Sequence, residues 1–192
     1  MRYVLVLALI ISCFLVSTSV VAQNSNSVVK SNISKDRTAI VGVFNNFLRW
    51  YKKNYKPLYH YKMVIHDSVG NYQVDISACR NFLLKIKKSG CVSDEYIKLW
   101  NQYFESQAER FKTYPQNEGP PEGFDMDLVL LTQEPDLLLD NIKKLKYTVV
   151  FIRKDTAEIW VHTPWETWNY RIELSKIYNH WYIDYLSFKE PE

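Results

Sequence analysis

An α+β fold, with three helices packed on a curved antiparallel sheet of four or more strands, is predicted by three observations. Between residues 36 and 113 apolar side chains recur at three- and four-residue spacing, the period of amphipathic helices. Between residues 146 and 188 they alternate with polar ones, the period of strands covered on one face. Between these regions lies Pro115 to Pro135, PQNEGPPEGFDMDLVLLTQEP, which neither period crosses. It holds four of the chain's seven prolines and five acidic residues without a Lys or Arg, and so reads as a hinge between the two halves.

The amino terminus reads as an export signal. Met1 and Arg2 give a short positive start, Tyr3 to Val21 is uncharged and mostly apolar, and Val20 and Ala22 are small residues suited to cleavage after Ala22. The rival readings are a retained membrane anchor, or lipidation at Cys13. The apolar run continues through Phe14, Leu15 and Val16, where a lipidated cysteine would end it. Cleavage leaves no integral membrane domain and places the mature chain in the periplasm or outside the cell. Residues 23–35 are rich in Ser and Asn and read as a flexible leader. Residues 36–190 are enough for a single domain with its own core.

A first helix should begin near Ser34 or Asp36, either of which can cap its free amides. Ile40, Val43, Phe44, Phe47, Tyr51 and Tyr55 form its apolar face, and Pro57 is expected to end it. Tyr59 to Asp75 suggests a short hairpin around Ser68-Val69-Gly70-Asn71. A second helix, residues 76–89, buries Ile76, Cys79, Phe82, Leu83 and Ile86 and stops at Gly90. A third starts at Ser93, with Asp94 and Glu95 in its positive first turn, and buries Tyr96, Trp100, Tyr103, Phe104, Ala108 and Phe111. Four strands follow near residues 146–153, 156–163, 168–176 and 181–188. If residues 79–89 form one helix, its rise separates Cys79 from Cys91 by more than a disulfide spans, so both thiols should be free.

At the hinge the residues resemble a known pattern. Gly123, Phe124, Asp125, Asp127 and Gln133-Glu134 within EGFDMDLVLLTQEPD are similar to the central motif of a family of small exported bacterial proteins, catalogued as a domain of unknown function. FLRWYKKNY (Phe47 to Tyr55), GCVSDEYI (Gly90 to Ile97) and NHWYIDYL (Asn179 to Leu186) extend the likeness over about Ala39 to Leu186. The closing turn departs from it, with Tyr-Asn-His where glycine is common. The resemblance implies a cone similar to that of nuclear transport factor two, with helices over a curved sheet. It implies no activity.

The net charge of +3 is not gathered into a basic block, so a nucleic-acid partner is not expected. No zinc spacing, phosphate loop or serine elbow is present, so no catalytic residue, cofactor or metal is assigned. Asp125 and Asp127, with Glu122 or Glu118, offer oxygen ligands of the kind calcium takes, but without a known calcium loop. The plainer expectation is that the two aspartates accept backbone amides, or cap a short helix over Leu128 to Leu131. Gln133 and Glu134 complete the hinge surface. A second candidate surface is the hairpin tip at Trp165 and Trp168, where indoles anchor a partner if exposed, or fold back as core. The histidines, His60, His66, His162 and His180, are expected in turns or on the outer strand face. Two functions remain: a non-catalytic binding or interaction module of the cell envelope, or a small-ligand protein or enzyme using the cone interior.

Overall fold

The computed structural model describes residues 34–165 and 169–189. The expected signal peptide, Cys13, residues 23–33 of the leader and Trp168 lie outside them. The chain divides into two compact units, Met1–Thr38 and Ala39–Glu192. Of the first, residues 34–38 are described and are helical.

Within the second unit, helix α1 covers residues 39–58. Ile40, Phe44, Phe47, Leu48, Tyr51, Tyr55 and Leu58 are its buried stripe. Pro57 does not end the helix where expected. The bond Pro57 forfeits is to the carbonyl four residues back, that of the exposed Lys53, which water can satisfy. The Tyr59 amide still reaches the Tyr55 carbonyl at 3.2 Å.

Strands β1 (Val64–His66) and β2 (Tyr72–Val74) form the expected hairpin. The Asp67 carboxylate holds its turn by accepting the amides of Val69 and Asn71. Helix α2 (Ile76–Lys87) is capped by Asp75, and α3 (Asp94–Thr113) by Ser93. Cys79 and Cys91 are buried, free thiols.

After the hinge comes a short helix that period reading did not find, α4 (Pro135–Asp140), followed by a 3-10 turn at Ile142–Lys144. Pro135 begins α4 and Asp136 lies in its first turn, both favourable there. The helix expected over Leu128 to Leu131 is absent. Those residues form turns, and Leu131 has a φ of 53°, which ends any right-handed run.

Strands β3 (Lys146–Ile152), β4 (Thr156–His162), β5 (Asn169–Ile177) and β6 (His180–Lys189) form an antiparallel meander in that order. Ala157, Ile159 and Val161 share the buried face with Tyr170, Ile172 and Leu174. A bulge places Asp184 as an extra residue in β6, so that Ile183 and Leu186 both face inward across it. The β5–β6 turn is the pair Tyr178-Asn179, with φ of 47° and 66°, as a type I′ hairpin requires. The outer edge of β6 is met by Cys91–Ser93: the Ser93 amide donates to the Ile183 carbonyl, and the Ile183 amide to that of Cys91.

Phe44, Phe47 and Leu48 of α1, Ile86 of α2, Phe104 of α3 and Ile159, Ile172 and Ile183 of the sheet are each at most 1% exposed and belong to one cluster. Side chains fill the space between helices and sheet at these positions.

Candidate functional site: a cleft walled by the hinge

The hinge is held by tyrosine hydroxyls arriving from every side. Tyr51 and Tyr59 donate to Asp127 at 2.6 and 3.0 Å, and Tyr55 donates to Asp136. These three recur every fourth residue at the end of α1, so their rings follow one another along a single helix face. Tyr72 of the hairpin donates to the Gly119 carbonyl, Tyr103 of α3 to that of Gly123, and Tyr170 of β5 to that of Leu130. Within the segment, the Gln116 amide group donates to the carbonyls of Glu118 and Pro120 and accepts the Glu122 amide. A segment rich in proline and glycine, with no long regular structure, is thereby fixed in one shape.

Asp127 is the centre of this arrangement. It is 4% exposed. Its Oδ1 accepts the amides of Val129 and Leu130 at 3.0 and 2.8 Å, and its Oδ2 accepts the two tyrosine hydroxyls. Its own amide donates to the Thr132 carbonyl. All four donors to the carboxylate are neutral, and no Lys, Arg or His among the described residues pairs with it. A buried carboxylate needs this many bonds to replace its lost water.

Gly123 is required by geometry. Its φ is 81°, and a β-carbon there would stand 2.6 Å from the Tyr103 hydroxyl oxygen.

Between the hinge, the end of α1 and β1 lies an open cleft of about 540 Å³. Five rings line it (Tyr51, Tyr59, Tyr61, Phe82 and Phe124), together with Met63, Val64 and Met126. Asp125, Asp127, Gln133 and the exposed Lys62 supply its charged and amide groups. A smaller hollow of about 250 Å³ lies between α3, the hinge and β6, lined mainly by apolar groups such as Trp100, Leu131 and Leu186.

The candidate residues divide accordingly. Asp125, Asp127 and Gln133 meet in the cleft wall. Asp127 fulfils the plainer expectation as an acceptor of backbone amides, in a turn and not at a helix start. Asp125 is exposed, and among the described residues no hydrogen bond or ion pair engages its carboxylate. Glu122 is turned to Arg110. Glu134 is exposed and does not line the cleft; its amide donates to the Thr132 hydroxyl. Trp165 is half-buried and packs against the core. Tyr51, Tyr59 and Tyr61 were not singled out as site residues; the one signal for the first two was the repeat of tyrosine at every fourth position.

Burial, and then the adjacent Asp127 charge, push the Tyr51 and Tyr59 hydroxyls well above the usual tyrosine range. The bond to Asp136 pushes Tyr55 up to about 12. All three therefore keep their protons at neutral pH and act as donors. Of the histidines, His66 meets the Gly70 carbonyl, and His162 meets Thr148 and Asn169 on the outer sheet face. Among the described residues no His, Cys, Asp and Glu cluster has metal-site geometry, and no helix is long and apolar enough to cross a membrane. No protein-family model, curated protein or solved structure matches the chain.

Proposed function

We propose that this chain is a non-catalytic binding module of the bacterial envelope, and that it takes a small ligand in the cleft walled by Asp125, Asp127 and Gln133. The observation that carries the reading is the combination of cleft and clamp. An aromatic-lined hollow with few polar groups is the usual form of a ligand site. Its wall is also fixed beforehand by hydroxyls from α1, α3, β2 and β5, which lowers the ordering cost of binding. The export-type amino terminus supports the location. The order of helix, hairpin, two helices and four-stranded meander supports a cone of the nuclear transport factor two type. In this reading the ligand site lies beside the core and not inside the cone.

Native mass spectrometry on protein isolated from its own envelope tests this reading. A small-molecule adduct is expected on the wild type and absent from Val64→Trp, which fills the cleft from an accessible strand. An adduct that survives in the variant, or none on either protein, overturns it.

A further inference from the structure

We infer that the ligand of this cleft carries an organic ammonium group; the inference rests on the cleft being a binding site. The first argument is charge. Asp127 is a buried carboxylate whose four donors are all neutral, so its negative charge is spread but not cancelled. Asp125 adds a second carboxylate that no described side chain engages. Against these, among the described lining residues, stands only Lys62, which is exposed. The second argument is the lining. Tyr51, Tyr59, Tyr61, Phe82 and Phe124 bring aromatic rings to the same hollow, and the face of such a ring attracts a cation through its quadrupole. An ammonium group with apolar substituents satisfies both features. An inorganic cation satisfies only the first, and a neutral apolar molecule only the second.

The site also discriminates by hydration. The lining prolines Pro120, Pro121 and Pro135 offer no amide donor, so an anion or a carboxylate-bearing ligand meets few groups that replace its water. A weakly hydrated alkylammonium loses little on entering.

Calorimetric titration of the full chain with choline, and with its neutral carbon isostere 3,3-dimethylbutan-1-ol, separates charge from shape. Choline is expected to bind about tenfold more tightly than the isostere, the range of a partly desolvated cation on aromatic rings. Asp125→Asn should weaken choline several-fold and leave the isostere unchanged. Its side chain has no described partner, so the fold should be retained. Equal affinity for the two probes, with both lost in Val64→Trp, sinks the ammonium inference and leaves the cleft reading standing. No heat from either probe at millimolar concentration also sinks the inference, while the adduct test judges the cleft separately. Nα-acetyl-lysine amide as a third probe distinguishes a free quaternary ammonium molecule from a lysine side chain: tighter binding than choline points to a protein-borne source.

Discussion

The Tyr51 hydroxyl donates to Oδ2 of Asp127 at 2.6 Å, joining two residues 76 positions apart in the chain. Tyr59 reaches the same oxygen from eight residues further on, just past the end of α1. A single carboxylate therefore couples the end of α1 to the turn that starts the second half of the fold.

Replacing Asp127 with Ala should lower stability by about 3 kcal/mol, because several buried donors lose a charged acceptor together. Tyr51→Phe should cost about 1 kcal/mol, since it removes one bond and leaves the carboxylate three others. Urea denaturation of the two variants measures both. A loss below about 1 kcal/mol for the aspartate would show that Asp127 does not anchor the fold.

Gly123→Ala should destabilise by about 3 kcal/mol, combining a left-handed backbone with the overlap on Tyr103. The same substitution made in a Tyr103→Phe background should cost about 1 kcal/mol less, because the clashing oxygen is gone. A double-mutant cycle reads the difference. Strict additivity would mean that the Tyr103 hydroxyl plays no part in making this glycine necessary.

Stability should fall as the solution becomes alkaline. Burial pushes the Cys79 thiol up to about 12 from an ordinary value of 9.0, and raises that of Cys91. Burial raises the Tyr51, Tyr59 and Tyr96 hydroxyls as well. In each case the unfolded chain releases its proton at a lower pH than the folded one. The Cys79 contribution is therefore complete below pH 9 and is lost between about 9 and 12, and the tyrosine contributions are lost at higher pH. Urea midpoints measured at rising pH should drop through that window, and Cys79→Ala should make the drop shallower near its start. A flat profile would contradict the burial of these groups.

Trp165→Ala should cost about 2 kcal/mol, the loss of a half-buried ring packed on the core. Unchanged melting would return Trp165 to the candidate binding surface.

Much of the fold is legible in the sequence because the signals are local. Ser93 followed by Asp94 and Glu95 marks the start of α3, and the alternation around Ile159 and Ile172 marks the buried sheet face. The clamp is not legible for a physical reason. Periodicity counts tyrosine as apolar, which is correct for its ring and silent about its hydroxyl. Nothing local to Tyr51, Tyr103 or Tyr170 names a partner in the hinge. The turn at Tyr178-Asn179 is placed by the gap between the two strand patterns, but its type is not legible: strand register imposes its left-handed backbone, and no glycine advertises it. The short helix α4 was missed because six residues are too few to display a period.

The contact of Cys91–Ser93 with Ile183 bears on how copies of this protein behave in a crowd. A bare sheet edge is a template on which another chain can add itself. Here the residues that lead into α3 occupy part of the β6 edge with their own backbone. At the opposite edge, β3 begins with Lys146 and has a register break between Val149 and Phe151, both of which disfavour regular growth. Edge-to-edge strand addition of this kind is thus opposed at both ends, and the α3 start guards against aggregation as well as opening a helix.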